Sequence, residues 1–308
     1  MKPLLALCHL LLACTAQAES WRFAVIGDTP YNSYEVQEYP KLIEQIEAES
    51  PELIIHVGDF KASNARCSDD LFESRHNLLN ATNLPFIYIP GDNEWTDCKR
   101  LAAGNHDQTE RLNKLRKLFF STPFSLGQRR LPIEQQSAAF PEHLRWRLGP
   151  VLMVTLNVPG PNNNFGMGHI ASQEFLERNP VLIDWLKQAF ATARRENSAG
   201  LVLALQGNPG FKHFAAGLAH EGYRELLEVL LYETIRFSGQ VLFIHGDTHW
   251  QRIDHPLRHP VTGERIPNFT RLESFGHPFL GWVKVHIDSD SPTLFRFETH
   301  AYKPGKFQ

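Results

Sequence analysis

The sequence LIIHVGD at residues 53–59 is a short apolar, β-branched run that ends in a Gly-Asp pair. A run of this kind, bounded by turn residues, predicts a buried strand. The same pattern recurs at 23–28, 86–92 and 241–247, so every Gly-Asp pair in the chain follows a strand-like run. The first three pairs are 31 and 33 residues apart, which is about the length of one strand-helix-strand unit.

Segments with helical spacing of apolar residues lie between these strands. Alternating strands and helices predict a mainly parallel sheet covered by helices, and ligands bind beyond the carboxyl edge of such a sheet. We therefore expect the four Gly-Asp pairs to meet at one edge of one sheet. The predicted helices are 36–49, 71–79, 107–120, 181–195 and 223–237, and further buried strands are predicted at 151–156 and 201–205.

Two segments depart from this alternation. Residues 121–140 are rich in Pro, Gly and Gln and predict an inserted surface loop. The tail has strand-like runs at 269–274, 282–287 and 294–298 with no helix between them, which predicts an antiparallel edge or a second sheet. No linker divides the rest, so residues 19–308 are predicted to form a single domain.

The four aspartates Asp28, Asp59, Asp92 and Asp247 are the strongest candidates for chemistry. One or two would be ordinary turns capped by Asp side chains, which is the simpler alternative. Four converging carboxylates are costly unless a cation lies among them. Together with His249, two residues after Asp247, they offer a ligand set typical of divalent metals.

The first 18 residues predict a secretory signal. Leu4–Ala13 is almost wholly apolar after Lys2, and Ala16-Gln17-Ala18 has the small-x-small form of a cleavage site, so export to the periplasm or medium is expected after Ala18. A buried N-terminal helix is one alternative. Another is lipidation at Cys14, which would give a lipid anchor. No later segment is apolar for the ~18 residues that a membrane span needs.

Composition limits the partners and the redox state. The 308 residues are 42% hydrophobic and 21% charged, which is typical of a globular protein. The net charge is −3, or −4 without Lys2, so no basic surface for nucleic acid is indicated. Cys67 and Cys98 are the cysteines left after the signal, and in an oxidising compartment they are expected to form a disulfide, with two free thiols as the alternative.

At these motifs the chain resembles the calcineurin-like metallophosphoesterases over residues 23 to about 298. The resemblance implies an α/β fold, a four-layer αββα sandwich of two mixed sheets flanked by helices. It aligns the family's metal-binding blocks with segments that begin at Asp28, Gly58, Gly91, Gln206 and Gly246. It also implies two divalent ions bridged by Asp59, with Asp28 and His249 on the first. The second ion would be held by Asp92, Asp247 and an amide from Gln206 or Asn208.

Several family positions carry other residues here. Pro30 stands where a ligand His is expected, Asp92 where Asn is expected, and Asp247 where a second His is expected. Gln206 or Asn208 replaces a further His, and Asn93 replaces the His that protonates the leaving group. Because oxygen ligands replace nitrogen ligands, the set favours Mn, Mg or Ca over Zn.

Other residues near these blocks are weaker candidates. Tyr31, Asn93 and Trp95 are expected to line the substrate pocket, with packing around the loop as the alternative for the aromatic rings. Lys61 and Arg66 follow Asp59 and are candidates to meet phosphate oxygens. The sequence GNHD at 104–107 reproduces the family's third block, but no strand precedes it, so Asp107 is interpreted as the start of a helix.

Together these observations predict an exported metallophosphoesterase, a hydrolase of a small phosphomonoester or phosphodiester. The expected catalytic residues are Asp59, through a hydroxide that bridges two metals, and Asn93. The alternative is a non-catalytic exported domain of the same fold that binds a metal or a phosphate. Metal content followed by a phosphoester panel distinguishes the two.

Overall fold

The computed structural model describes residues 20–259 and 261–304. The strands are β1 Ser20–Ile26, β2 Leu53–His56, β3 Phe86–Tyr88, β4 Glu134–Gln135, β5 Leu144–Leu148, β6 Val151–Thr155, β7 Gly166–Met167, β8 Ile170–Ala171, β9 Gly200–Ala204, β10 Gln240–His245, β11 Arg252–Asp254, β12 Phe269–Glu273, β13 Gly281–Asp288 and β14 Phe295–Ala301. The helices are α1 Ser33–Ala48, α2 Asp69–Asn80, α3 Gln108–Phe119, α4 Gln173–Arg195, α5 Phe211–Ala215 and α6 Glu221–Ile235, with 3₁₀ turns at Thr96–Lys99 and Asn162–Asn164.

Two mixed sheets carry the fold. The first has the order β14-β13-β1-β2-β3, in which β1, β2 and β3 are parallel while β13 and β14 are antiparallel. The second has the order β11-β12-β10-β9-β6-β5-β4, with β12, β10, β9 and β6 parallel to one another. The predicted α/β class with two mixed sheets and flanking helices is confirmed.

The alternation of side chains in β6 shows how the layers stack. Val151 and Met153 belong to a core shared with the first sheet, whereas Leu152 and Val154 belong to a core shared with α4 and α6. Since successive residues of a strand face opposite sides, one face of the second sheet packs on the first sheet and the other on helices. The first sheet is covered in turn by α1, α2 and α3, which gives the four layers.

Helices α1 to α4 each begin at a polar side-chain cap. Asn32 accepts a hydrogen bond from the Glu35 amide at the start of α1, and Asp107 accepts one from the Glu110 amide at the start of α3. Asp107 is therefore a helix cap, as interpreted from the sequence. Helix α4 begins eight residues before the predicted start at Val181, because Ser172 caps it and Pro180 lies inside it.

One expectation about the sheets needs correction. Asp247 follows β10 of the second sheet, so the four aspartates meet between two sheets and not at one edge of one sheet. In the tail, β13 and β14 form the expected antiparallel edge, while β12 lies in the second sheet and pairs parallel with β10 and antiparallel with β11. Strands β4, β5, β7, β8 and β11 were not predicted, and β4 lies within the segment expected to be a surface loop. Strand periodicity indicates which residues are buried, but it does not indicate which sheet a strand joins.

Some sequence-based expectations lie beyond this description. The predicted signal at residues 1–18, including Cys14, falls outside the described residues. None of the helices in the described parts of the chain is long and apolar enough to cross a bilayer.

Candidate metal centre

The loops after β1, β2 and β10 hold their polar side chains in an uncommon backbone conformation. Asp28, Asp59, Asp247 and His249 have φ values of 52°, 60°, 80° and 58°. Residues other than glycine rarely adopt positive φ, at a cost of about 1–3 kcal/mol each, and such residues cluster at functional sites. The backbone is therefore strained at the four residues that bring their side chains into the centre.

Glycines permit the close packing of these loops. A Cβ on Gly91 would lie 2.1 Å from Asp59 Oδ1, and one on Gly58 would lie 2.7 Å from the Gly91 amide nitrogen. Gly58 also has a φ of +93°. The Gly-Asp pattern thus has a steric cause, because a larger residue before either Asp would push the second and third loops apart.

Asp28, Asp59, His249 and Tyr31 form the first group of the centre. His249 Nε2 lies 3.5 Å from Asp28 Oδ1 and 3.1 Å from the Tyr31 hydroxyl, which in turn donates to Asp59 Oδ2 at 3.2 Å. These separations are about those of neighbouring ligands around one ion at roughly 2.1–2.5 Å. Taken pair by pair, the separations in the first group are compatible with ligands of a divalent cation.

The imidazole of His249 is oriented for this role. Its Nδ1 lies 2.6 Å from the carbonyl oxygen of His277 and donates to it, so that Nε2 is the ring nitrogen directed toward Asp28 and Tyr31. A carbonyl partner on the distal ring nitrogen is the usual way in which proteins orient a ligand histidine. Asp28 is held by the Asp247 amide at 3.0 Å and the Ser274 hydroxyl at 3.3 Å.

Gln206 forms the second group with Asp59 and Asp92. Its Nε2 donates to Asp92 Oδ1 at 2.8 Å and to Asp59 Oδ2 at 3.3 Å, while its Oε1 accepts from the Gly160 amide at 2.6 Å. Because a backbone N–H needs an acceptor, Gly160 fixes the oxygen on its side and the nitrogen faces the carboxylates. Gln206 therefore presents hydrogen-bond donors to these carboxylates and not the ligand oxygen expected from the sequence.

Asn208, the other amide expected as a ligand, faces away from the carboxylates. Its Oδ1 accepts from the Gly210 amide at 3.1 Å, and its own backbone amide donates to Asp247 Oδ2 at 2.8 Å. Asn208 therefore supports Asp247 through its main chain. The structure thus places neither amide oxygen at the centre.

Glu94 and Lys61 lie buried beneath the carboxylates. Glu94 Oε1 accepts from the amides of Asp59 and Gly91 and from the Tyr88 hydroxyl, at 2.7–3.0 Å, and so ties the second loop to the third. The fully buried Lys61 donates to the Ala62 carbonyl and does not line the cleft, which corrects the expectation that it meets phosphate. Its charge acts on Glu94 and Asp59 from below.

Burial dominates the electrostatics of the centre. It raises the pKa of Asp28, Asp59 and Asp92, and mutual repulsion with Asp92 raises that of Asp59 further. Burial also raises the pKa of Asp247 to about 7, with added repulsion from Asp28. For His249, burial opposes the charged form, but the Asp28 carboxylate outweighs it and raises the pKa. These are the shifts that a bound cation would reverse.

The whole donor set fits one ion more readily than two. In the residues that the structure describes, no group of three His, Cys, Asp or Glu side chains could hold a metal ion as it stands. The hydroxyl of Tyr31 and the amide of Gln206 lie between the carboxylates instead. Asp28, Asp59 and His249 can hold a cation once Tyr31 shifts, whereas a second ion at Asp92 and Asp247 requires the Gln206 amide to turn.

An open cleft of about 600 Å³ leads to this centre. Tyr31 and Asn93 line it as expected, and Asn93 Nδ2 donates to the Tyr31 hydroxyl at 3.0 Å. Trp95, expected on the same wall, is fully buried below the Arg178 guanidinium, 5.5 Å from its ring centre. It supports the third loop and does not reach the cleft. Arg66 and His106 are also absent from the cleft wall.

Two residues of the cleft were missed in the sequence. Arg100 lies at the wall and pairs with Asp97 at 2.8 Å, and His277 stacks on Tyr31 with 5.3 Å between ring centroids. The three-residue spacing of Asp97 and Arg100 was a usable signal for their pairing. Nothing in the local sequence of His277 indicates its place.

A disulfide joins the two loops that carry Asp59 and Asp92. Cys67 and Cys98 are bonded, with 5.7 Å between their Cα atoms and 31 residues between them in the chain. The predicted pairing is confirmed. The covalent link restrains the second and third loops relative to each other.

Comparison with protein families gives one match over most of the chain. The model described as calcineurin-like phosphoesterase matches residues 22–263. No protein of curated function is similar enough in sequence to count as a match.

Solved structures resemble the chain in fold at low sequence identity. A dimetal phosphatase from Danio rerio is 12% identical with a TM-score of 0.54, and the match covers 91% of this chain and 96% of that one. A purple acid phosphatase from yellow lupin (Lupinus luteus) seeds is 13% identical with a TM-score of 0.54. That match covers 92% of this chain and 52% of the plant protein. At such identities the likeness concerns the fold alone.

Proposed function

Because this chain belongs to the calcineurin-like phosphoesterase family, we propose that it is a metal-dependent hydrolase of a phosphomonoester or phosphodiester. The observation that carries the proposal is the first group of the centre. Asp28, Asp59 and His249 converge at the base of an open cleft, with His249 Nε2 directed inward. The oxygen-rich set favours Mn, Mg or Ca over Zn.

The side chains of this chain would share the work in the following way. Asp28, Asp59 and His249 would hold the cation, which when bound supplies Lewis-acid charge and lowers the pKa of water. Asn93 and Tyr31 line the cleft beside Asp59 and would donate hydrogen bonds to phosphoryl oxygens. Tyr31 stays protonated for this role, since burial and the Asp59 carboxylate raise its pKa.

The test is the substitution Asp59→Asn, which removes one charge and keeps the shape. We expect loss of metal binding, measured by elemental analysis and calorimetry, together with loss of hydrolysis on a phosphoester panel with added Mn. Asp107→Asn is the matched control, because it makes the same change at a helix cap. Full metal content and activity in Asp59→Asn would refute the assignment.

A second candidate function is a non-catalytic domain that binds a metal or phosphate. The Gln206 amide favours it, since its N–H groups face Asp59 and Asp92 where a second ion would need a ligand. A protein that binds Mn but hydrolyses no member of the panel would establish this alternative.

We further propose that the protein is exported. The Cys67–Cys98 bond supports an oxidising compartment, and the sequence of residues 1–18 supports a cleaved signal. N-terminal analysis of the secreted or periplasmic protein tests this. A start at Glu19 is expected, and a lipidated Cys14 would establish the anchored alternative.

A further inference from the structure

A second cavity of about 800 Å³ lies next to the centre, and nearly all of its charged lining residues are cations. We call it the basic pocket. Its wall includes one aspartate, Asp254, and five cations: Lys212, Arg252, Arg258, Arg265 and Arg271. The whole chain has a net charge of −3, so this concentration of positive charge is not a general property of the surface.

Two of the five cations are neutralised within the fold. Arg271 makes a two-point contact with Asp254 and lies over the Phe211 ring at 5.7 Å. Arg252 pairs with the buried Glu273 at 2.6 Å. These pairs build the wall of the basic pocket and contribute little net charge.

The other three cations have no carboxylate partner within residues 20–259 and 261–304. Arg258 and Arg265 form an antiparallel β-bridge and line the same pocket. Like charges directly opposite each other in an antiparallel pair destabilise it. An anion bound between the two guanidinium groups would remove that repulsion, and Lys212 supplies a third charge from another wall.

The basic pocket is linked to the metal centre by two segments of chain. Asn208 lines the pocket, and its amide donates to Asp247 Oδ2 at 2.8 Å. Strand β11, which carries Arg252, begins three residues after His249. A ligand whose phosphoryl group lies at the acidic centre would reach this region of opposite charge by passing Asn208.

We propose that the basic pocket binds a phosphate group, and that the substrates are phosphoesters that carry a second phosphate group. The substrate part rests on the proposed hydrolase function, whereas the anion binding does not. Arginine pairs are well suited to such a group because each guanidinium donates two parallel hydrogen bonds to phosphate oxygens.

The binding test uses pyrophosphate as the probe and the metal-free protein in chelator. Without a cation the acidic centre repels anions, so calorimetry reports the basic pocket. We expect binding that weakens with salt and falls about tenfold or more in Arg258→Gln/Arg265→Gln, because two charged contacts are lost. The control Arg130→Gln/Lys187→Gln makes the same charge change at exposed residues outside the pocket and should bind as the wild type does. Absence of binding, or equal binding by all three proteins, overturns the pocket.

The substrate test compares benzene-1,4-diol bisphosphate with monophenyl phosphate, because aryl leaving groups depart without help from a general acid. We expect a higher kcat/KM for the bisphosphate in the wild type, and a preference that falls about tenfold in Arg258→Gln/Arg265→Gln. Equal values in the wild type refute the substrate class. If neither compound is hydrolysed, the proposed function fails, while the calorimetry still decides whether the pocket binds phosphate.

Discussion

Gln206 Nε2 donates a hydrogen bond to Asp92 Oδ1 across 2.8 Å, at the place where the two sheets face each other. A neutral amide nitrogen has no lone pair for a metal, so this contact replaces a ligand by a donor. We predict that Gln206→His increases the metal bound per chain, since a neutral imidazole offers that lone pair. Asn208→His is the control, because that side chain faces Gly210. Equal metal content in both variants would contradict the prediction.

His249 and His106, the histidine of the GNHD segment, should differ sharply in their contribution to metal binding. His249→Ala removes a nitrogen directed at Asp28, and we expect metal affinity to fall at least ~10–100-fold, the range that even indirect partners of ligands show. His106→Ala should keep its metal, because His106 does not line the cleft. Calorimetric titration with Mn measures both, and similar losses would show that His106 reaches the centre.

Hydrolysis should depend steeply on the leaving group. The resemblance aligns Asn93 with the family's proton donor, but its side chain is an amide that donates to the Tyr31 hydroxyl. A positioned general acid contributes roughly 10²–10⁴-fold, so aryl esters should be cleaved far better than alkyl esters. Asn93→His should raise turnover of alkyl esters, with Asn64→His, another residue of the cleft, as control. A flat leaving-group series in the wild type would reveal another acid.

Loss of the disulfide should lower stability. Cys67→Ser/Cys98→Ser opens a bond between residues 31 apart, which the chain-entropy model values at about 3–4 kcal/mol. Urea unfolding of the variant against the oxidised wild type measures this difference. Thiol titration of the denatured, unreduced protein should detect neither Cys67 nor Cys98. An unfolding midpoint that is the same in the variant and the wild type would contradict the predicted loss of stability.

Stability should fall in mild acid because of buried neutral histidines. Burial lowers the pKa of His143 from 6.5 to about 4, so below pH 6.5 the unfolded chain takes up a proton that the native protein does not. The stability contributed by neutral His143 is thus present above pH 6.5 and is lost as the pH falls toward 4, by roughly 2–3 kcal/mol. His143→Gln should flatten the denaturation profile over this range. The exposed His169→Gln is the control and should not.

The sequence was sufficient for the strand ends and the class of fold, since both depend on local periodicity and on the Gly-Asp turns. The sequence did not predict which strands pair with one another in a sheet. The runs before Asp59 and Asp247 look alike, although β2 and β10 belong to different sheets. Strand β5 carries an alternating apolar and charged pattern, LRWRL, that signals a strand but was not used.

The directions in which side chains of the centre point could not be predicted from the sequence either. Gln206 turns its nitrogen inward because the Gly160 amide, 46 residues away, takes its oxygen. Trp95 is buried because Arg178 lies over it, and that pairing joins parts of the chain that no local pattern connects. Residue types at the blocks predicted which loops meet at the centre, while contacts distant in sequence determine which atoms face it.

The origin of the centre in two sheets has a consequence for the durability of the protein. Asp59 and Asp92 extend from the first sheet, and Asp247, His249 and Gln206 from the second. A cation held between Asp28 and His249 would therefore link the two sheets, and its binding energy would oppose their separation. Removal of that cation would loosen the contact between the two sheets. Proteases should then cut surface loops attached to both sheets at the same time, rather than one sheet after the other.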